Sequence, residues 1–104
     1  MNRALSSLGL AMKAGRVQCG QSVCDKLIKS GGAQLILIDE GASDGTKKAV
    51  TDACAYYNVS YRLIPADELG RAIGKSGRMV AAITDKGLAD RVCALLQDTF
   101  TTIE

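Results

Sequence analysis

The sequence predicts an α/β fold, a three-layer α-β-α sandwich in which helices cover both faces of a four-stranded mixed sheet. Three observations support this prediction. Segments with helical apolar spacing alternate with short strand-like segments along the whole chain. Residues 35–38 are continuously apolar, as expected of a strand that helices cover on both faces. The length of 104 residues suits one domain, 1–104, and no repeat or low-complexity tract divides it.

Three elements precede this apolar strand. Apolar residues at helical spacing predict a helix over residues 2–14, which Asn2 can cap and Gly15 can end. Alternating residues predict a strand over 16–19. Three apolar positions on one face predict a second helix over 21–30, which a pair of glycines ends.

A loop, a helix and a strand follow the apolar strand. Residues 39–45 are polar and predict a loop. Helical spacing over 46–57 predicts the third helix, which Asn58 closes. Residues 60–64 predict the third strand, and Pro65 begins the next turn.

The last part of the chain predicts two further helices and one strand. Residues 67–73 predict a short helix, and 74–77 predict a flexible, glycine-rich loop. Residues 78–84 predict the fourth strand. Asp85 can cap a final helix, and we expect the tail over 99–104 to be loosely held.

The chain has four cysteines and no histidine. We interpret the cysteines as reduced, buried thiols, because no secretory signal is visible and their spacing matches no disulfide framework. A metal site is disfavoured, since there is no C-x2-C pair. The lack of histidine removes the commonest general base, although lysine, tyrosine or carboxylate chemistry stays open. We predict a protein that is not an enzyme and uses no catalytic residues, metal or cofactor.

The sequence also bears on localisation. No uncharged apolar run is longer than a few residues, so none is long enough to span a membrane. The N-terminal segment has neither a continuous apolar region nor a clear signal-peptide cleavage site. We therefore expect a cytoplasmic protein that does not bind membranes.

Basic charge is concentrated at the start of the chain. Residues 1–30 contain five basic residues and one acidic residue, a net charge of +4, whereas the whole chain carries +2. Such a concentration is typical of a phosphate-binding surface, although an ordinary solvated surface would give the same pattern.

Two other motifs carry little functional weight. Residues 74–76 (Gly-Lys-Ser) resemble the end of a phosphate-binding loop, but Leu69 stands where that motif needs a glycine. Asp39 and Glu40 follow the apolar strand, where α/β proteins often hold ligands. Adjacent residues of an extended chain point in opposite directions, so we interpret the two acids as part of a solvated loop with capping roles.

A better candidate lies where the second helix begins. Gly20, Gln21 and Ser22 open this helix directly after a strand. Free backbone N–H groups and the positive end of the helix dipole attract phosphate at such a start. The glycine lets an RNA backbone approach closely. Gln21 and Ser22 can hydrogen-bond to base edges, and Lys26 lies about one turn further along the helix.

Four stretches of the chain resemble the kink-turn-binding ribosomal protein superfamily, in particular its bacterial YlxQ-type branch. They are residues 8–15 (LGLAMKAG), 42–48 (ASDGTKK), 56–59 (YYNV) and 69–75 (LGRAIGK). These stretches extend over nearly the whole chain, in the order and spacing of that family. The resemblance implies an α-β-α sandwich that binds kink-turn RNA, a sharply bent duplex with tandem sheared G·A pairs beside a short bulge.

The resemblance also implies individual contact residues. The family's glycine before its recognition helix falls on Gly20, and its helix lysine falls on Lys26. Its Asn-Glu pair, which reads the guanines of the G·A pairs, falls on Ser22 and Val23. Valine cannot accept a hydrogen bond from guanine, so we expect weaker base readout here. Either Gln21 or Ser22 substitutes in part, or backbone contacts dominate.

Further residues extend the expected RNA-binding surface. The family's apolar loop, which covers flipped bulge bases, corresponds to residues 64–69, so the resemblance implies contacts from Ile64, Pro65 and Ala66. A kink concentrates phosphates, and basic side chains suit contacts with them. Besides Lys26, we expect such contacts from Arg16, Lys29, Lys47 and Lys48. Positive charge is mildly unfavourable where a helix starts, which favours a ligand for at least one of the last two.

The leading hypothesis is therefore a monomeric protein that binds structured RNA of the kink-turn type, with ribosomal RNA as one candidate partner. The alternative is a protein-interaction module of the translation machinery that keeps the fold and has lost specific RNA readout, as Ser22 and Val23 would allow. A small-molecule enzyme would need a pocket with titratable groups, and no residues in the sequence converge on one.

Overall fold

The structure is a computed structural model that describes residues 3–74 and 77–99. Within these ranges the elements are α1 (Arg3–Lys13), β1 (Val17–Cys19), α2 (Gln21–Ser30), β2 (Leu35–Asp39), α3 (Asp44–Tyr57), β3 (Tyr61–Ile64), α4 (Glu68–Ile73), β4 (Val80–Ile83) and α5 (Lys86–Thr99). The predicted cap at Asn2, the middle of the predicted loop over 74–77 and the tail after Thr99 lie outside the described residues.

The sheet has the strand order β1-β4-β2-β3 and is mixed, as predicted. β2 and β3 pair in parallel, whereas β4 is antiparallel to both β1 and β2. β1, β2 and β3 therefore run in one direction and β4 in the other. The carboxyl ends of these three strands meet the amino end of β4 on one side of the molecule. We call this side the carboxyl end of the sheet and the opposite side its amino end.

Two apolar layers lie on opposite faces of the sheet. On one face α1, α4 and α5 pack against strand residues that include Leu37 and Ile83. On the other face α2 and α3 pack against Ile36 and Ile38. Successive residues of β2 alternate between the two layers, which explains why residues 35–38 are continuously apolar. This packing confirms the predicted α/β sandwich.

All four cysteines are free thiols, as predicted. Cys24 and Cys54 are buried between the sheet and the α2–α3 layer, whereas Cys19 and Cys93 are partly buried. Burial raises the pKa of the Cys24 thiol from 9.0 to about 12 and that of the Cys54 thiol to about 11. Both therefore stay protonated at neutral pH and pack as small apolar side chains.

α3 begins two residues before its predicted start, at Asp44. Ser43 caps the helix, because its Oγ accepts a hydrogen bond from the backbone N–H of Thr46 at 3.1 Å. Asn58 ends it in the left-handed conformation, with φ 59°, as predicted. The first turn of α3 lies close to the carboxyl end of the sheet, because only a short loop joins it to β2.

The interpretation of Asp39 as part of a solvated loop is wrong. Asp39 is the last residue of β2 and is 1% exposed, whereas Glu40 is exposed. Its Oδ1 accepts hydrogen bonds from the backbone N–H of Gly41 at 2.7 Å and of Asp67 at 3.2 Å. Asp39 thus joins the loop after β2 to the loop after β3. The local sequence does not reveal this burial, because it depends on β2 lying between two other strands.

The last helix begins as predicted. Oδ1 of Asp85 accepts a hydrogen bond from the backbone N–H of Leu88 at 2.9 Å and so caps α5. Neither α5 nor any other helix in the described ranges combines the length and the apolar character needed to cross a membrane.

Candidate nucleic-acid interface

Three helices, α2, α3 and the short α4, start at the carboxyl end of the sheet, since they follow β1, β2 and β3. α2 follows β1 after a single residue, and α3 follows β2 after a short loop. The loop after β3 and the segment before β4 lie at the same end, since β4 runs against its neighbours. The positive ends of the α2 and α3 dipoles therefore face the same side of the molecule.

Gly20 connects β1 to α2 and shapes the start of the helix. It has φ 108° and ψ 142°, a conformation that side chains rarely allow. Its N–H donates to the carbonyl of Val80 at 2.9 Å, and its carbonyl accepts from the N–H of Cys24 at 3.0 Å. The N–H groups of the next three residues have no acceptor within α2, as at any helix start. Together with the dipole they suit an anionic group such as phosphate.

Gln21 is joined to α3 by a chain of hydrogen bonds between side chains. The hydroxyl of Thr46 donates to Oε1 of Gln21 at 3.2 Å. The hydroxyl of Ser43 donates in turn to Oγ1 of Thr46 at 3.1 Å. These hydrogen bonds therefore connect the first turns of α2 and α3. Among the described residues, the Nε2 amide group of Gln21 has no hydrogen-bond partner.

Ser22 and Val23 are both exposed in the first turn of α2. Ser22 has a hydroxyl that can donate or accept a hydrogen bond, whereas Val23 is apolar and yet 41% exposed. The position that the resemblance matches to a guanine-reading glutamate is therefore a solvent-facing apolar side chain. Of this pair, Ser22 alone has a side-chain group that can hydrogen-bond to a base.

The two lysines of α2 have different surroundings. Lys26 is exposed and forms no ion pair within residues 3–74 and 77–99. Nζ of Lys29 lies 3.0 Å from Oδ2 of Asp25, and this hydrogen bond and charge raise the pKa of Lys29 above its usual 10.5. Lys29 also lies in the last turn of α2, roughly 12 Å along the helix axis from Gln21. Lys26 is thus nearer to the helix start and carries the less compensated charge.

Arg16 lies at the opposite end of the sheet. It precedes β1, and its carbonyl accepts a hydrogen bond at 2.9 Å from the N–H of Thr84, the residue after β4. The structure therefore places Arg16 at the amino end, as it does the last turn of α2 with Lys29. The basic residues that cluster along the chain are separated in space.

Lys47 and Lys48 lie early in α3, near the carboxyl end. Nζ of Lys48 is 3.1 Å from Oδ2 of Asp52, so that its charge is partly compensated. Lys47 is half-buried and forms no ion pair with another described residue. Of the two, Lys47 therefore carries the less compensated charge.

The loop after β3 exposes two of the three residues expected to contact RNA. Ile64 is 0% exposed, because it is the last residue of β3 and packs in the layer under α1 and α4. Its side chain is not available for a direct contact. Pro65 is partly exposed and Ala66 is exposed. These two residues form the accessible part of the loop.

Arg78 belongs to the same surface, although no sequence motif marks it. This exposed residue precedes β4, and its Nη1 lies 3.8 Å from the point that a Cβ on Gly20 would occupy. Its guanidinium group therefore lies beside the start of α2. Arg78, Arg71 and Asp67 also line an open cavity of about 510 Å³ next to Asp39. Only the basic charge of Arg78 could have marked it, since its position depends on β4 pairing between β1 and β2.

The carboxyl end thus presents hydrogen-bond donors and positive charge, together with the exposed carboxylates of Glu40, Asp44 and Asp67. It offers the first N–H groups of α2, the amide of Gln21, and the side chains of Lys26, Lys47 and Arg78. In the described ranges, no group of three or more His, Cys, Asp or Glu side chains is arranged to hold a metal ion. The arrangement can bind a negatively charged ligand that has hydrogen-bond acceptors.

Comparison with known proteins identifies relatives along almost the whole chain. The model of the ribosomal protein L7Ae/L30e/S12e/Gadd45 family matches residues 2–93. The RNA-binding protein YlxQ of Bacillus subtilis (strain 168) is 44% identical over 90 residues, which cover 86% of this chain and 90% of that protein. The RNA-binding protein YlxQ of Enterococcus faecium is 33% identical over 96 residues, which cover 91% and 92% of the two chains.

Two solved structures have a similar fold. A protein of unknown function from Bacillus halodurans superposes with a TM-score of 0.89 at 32% identity, over 93% of this chain and 99% of that one. The 15.5kD RNA binding protein of Giardia lamblia superposes with a TM-score of 0.75 at 24% identity, over 90% of this chain and 82% of that one. At that identity the second likeness concerns the fold alone.

Proposed function

This chain belongs to the ribosomal protein L7Ae/L30e/S12e/Gadd45 family, and from that premise we propose that it is a non-enzymatic RNA-binding protein that recognises kink-turn RNA. Its two YlxQ relatives are both named RNA-binding proteins, which supports the general part of the proposal. We further propose that it acts as a cytoplasmic monomer, and that ribosomal RNA is one class of RNA that supplies the kink-turn.

The arrangement of groups at the start of α2 is the main observation that supports this proposal. Three free N–H groups and the positive end of the helix dipole lie beside the guanidinium group of Arg78. Lys26 and Lys47 add positive charge on the same side of the molecule. A kink brings phosphates of the two RNA strands close together, so it presents the dense negative charge that such a surface stabilises.

The proposed mode of recognition relies on backbone and shape. Ser22 and Val23 stand where the resemblance implies an Asn-Glu pair that reads guanine, and Val23 has no polar group. Gln21, Ser22 and the free N–H groups remain as donors to bases or phosphates. Specificity then comes mainly from RNA shape, because only the bent RNA of a folded kink-turn contacts both α2 and the loop at Pro65 and Ala66.

A binding assay with two RNAs tests the proposal. One RNA carries a kink-turn, and the control is a duplex of equal length and charge in which Watson–Crick pairs replace the G·A pairs. We expect tighter binding of the kink-turn by about tenfold or more, since shape and base contacts add to the non-specific phosphate term. Equal affinity for both RNAs at physiological salt would refute kink-turn recognition.

A second candidate function is a protein-interaction module of the translation machinery. The exposed apolar side chain of Val23, where a guanine-reading residue is expected, favours this alternative. It predicts that crosslinked pulldowns recover a stable protein partner and no RNA. Recovery of structured RNA crosslinked to α2 would instead support RNA binding.

A further inference from the structure

We infer that Thr46 is a positioning residue of the RNA-binding surface and acts by orienting the carboxamide of Gln21. The inference rests on the proposed function. Thr46 would hold the amide oxygen of Gln21, so that both N–H bonds of Nε2 are presented to hydrogen-bond acceptors of the RNA. Gln21 would thereby replace part of the base-reading capacity that Ser22 and Val23 lack.

The hydrogen-bond chain from Ser43 to Gln21 has a consistent direction. The hydroxyl proton of Ser43 goes to Oγ1 of Thr46, and that of Thr46 goes to Oε1 of Gln21. Oγ of Ser43 remains free to accept from the backbone N–H of Thr46, which is the cap of α3. Each hydroxyl proton of this hydrogen-bond chain has an acceptor. The carboxamide oxygen of Gln21 uses one of its two lone pairs, and both donors of Nε2 remain unused.

This orientation restricts what Gln21 can recognise. A glutamine that reads adenine in a bidentate manner uses its oxygen and its nitrogen together. Here Thr46 holds the oxygen on the side of α3, so the group that faces a ligand is the Nε2 donor. The matching RNA groups are acceptors, namely O6 and N7 of guanine or a phosphate oxygen.

The location of Thr46 explains why a residue of α3 would influence a contact made by α2. Thr46 lies in the first turn of α3 and reaches across to the first residue of α2, twenty-five positions earlier in the chain. Without this bond an exposed glutamine samples several rotamers, and binding would have to order it. With the bond, the carboxamide is pre-organised before RNA arrives.

Thr46→Val is the principal test, because it removes the hydroxyl and preserves the shape of the side chain. The cap of α3 uses the backbone N–H of Thr46 and is therefore retained. We expect kink-turn affinity to fall about 3- to 10-fold, the usual effect of one lost hydrogen bond. Thr46→Ser keeps the hydroxyl and should restore affinity to within about twofold of the wild-type value.

Thr51→Val is the matched control on the same helix. The hydroxyl of Thr51 donates to the carbonyl of Lys47 at 2.8 Å, within α3 itself, and makes no link to α2. This variant should bind the kink-turn as the wild type does. Thermal unfolding of each variant measures any change in fold stability separately from RNA binding.

A double-mutant cycle with Gln21→Ala shows whether Thr46 acts through Gln21. In the Gln21→Ala background, Thr46→Val should cause no further loss of affinity. Gln21→Glu can still accept from Thr46 but has no amide donor, so it should bind at least as weakly as Gln21→Ala. A full additional loss in the double variant, or unchanged affinity of Thr46→Val alone, would overturn the inference.

Modified RNA identifies the acceptor and separates the two hypotheses. Replacing each guanine of the G·A pairs with 7-deazaguanine removes N7. A loss of affinity with wild-type protein that is absent with Thr46→Val assigns the contact to N7. If neither protein loses affinity, the contact is assigned to O6 or a phosphate.

If the wild type does not prefer the kink-turn, the proposed function fails and the inference with it. If the wild type does prefer it and Thr46→Val binds equally well, only the inference fails.

Discussion

The two ends of the sheet both carry basic residues, but they differ in what surrounds those residues. At the carboxyl end α2 and α3 begin. Arg78 lies beside the start of α2, Lys47 lies early in α3, and Lys26 lies further along α2. At the amino end the same helices finish, at Gly31 and Asn58, and the negative ends of their dipoles lie there.

For binding an anion, helix direction therefore matters more than the number of positive charges. Arg16 and Lys29 lie near helix carboxyl ends, where cations stabilise the dipole, and Asp25 already pairs with Lys29. The charge of Lys29 is therefore compensated within the fold without any ligand. The charges at the carboxyl end are poorly placed for the fold and well placed for an anion. We expect the two ends to respond differently to matched substitutions.

The largest expected difference concerns two aspartates, one at each end. Asp39→Ala at the carboxyl end leaves two backbone N–H groups without their buried acceptor, so it should destabilise the fold by about 2–4 kcal/mol. Asp85→Ala at the amino end removes one helix cap and should cost about 1 kcal/mol. Urea denaturation of both variants measures these costs, and equal values would argue against Asp39 as the link between the two loops.

Two lysines of one helix give the next largest effect. Lys26→Ala should weaken kink-turn binding about 5- to 10-fold and lower the slope of log affinity against log salt by about one unit, because one phosphate contact is lost. Lys29→Ala, three residues further along α2, should leave both quantities almost unchanged. Titrations at several salt concentrations compare the two variants. An effect of Lys29→Ala as large as that of Lys26→Ala would place RNA along the whole helix.

Two serines test whether the hydrogen-bond chain at the carboxyl end stabilises the fold. Ser43→Ala removes the cap of α3 and should cost about 1 kcal/mol in unfolding free energy. Ser30→Ala at the other end of the helix layer removes only a 3.3 Å bond to the carbonyl of Leu27 and should change stability by less than about 0.5 kcal/mol. Thermal melts measure both. A neutral Ser43→Ala would mean that the cap contributes nothing to the start of α3.

The smallest expected effect is a pKa shift at the amino end. Asp25 raises the pKa of Lys29, so Asp25→Asn should move it back toward 10.5, as followed by NMR titration of the lysine side chain. Since the folded-state pKa is the higher one, this pair stabilises the fold fully below pH 10.5, and the contribution is lost as pH rises through the folded pKa. A pKa that does not change in Asp25→Asn would show that the pair is not formed in solution.

Local patterns in the sequence predict most of the elements but not their arrangement. The apolar spacing of residues 21–30 predicts a helix with the bounds of α2, and Asn58 and Asp85 act at helix ends as their residue types predict. Such features depend on neighbouring residues within about one helical turn, so they can be predicted from local sequence.

Features that depend on strand order cannot be predicted from local sequence patterns. Arg78 reaches the start of α2 because β4 pairs between β1 and β2, and Asp39 is buried because β2 is central in the sheet. The resemblance implies an RNA contact for Ile64, but this residue lies in the core, since it is the last residue of β3. Arg16 is close to Gly20 along the chain, but the length of β1 separates them in space.

Nuclear magnetic resonance mapping with kink-turn RNA tests the central claim most directly. In the ¹⁵N-labelled protein, we predict that the backbone signals of Gly20, Gln21, Ser22 and Val23 shift or broaden on addition of RNA, together with those of Thr46 and Arg78. Signals at the amino end, from Arg16, Gly31 and Asn58, should stay in place. Perturbations centred on the amino end, or spread evenly over both ends, would contradict the assignment of RNA binding to the carboxyl end.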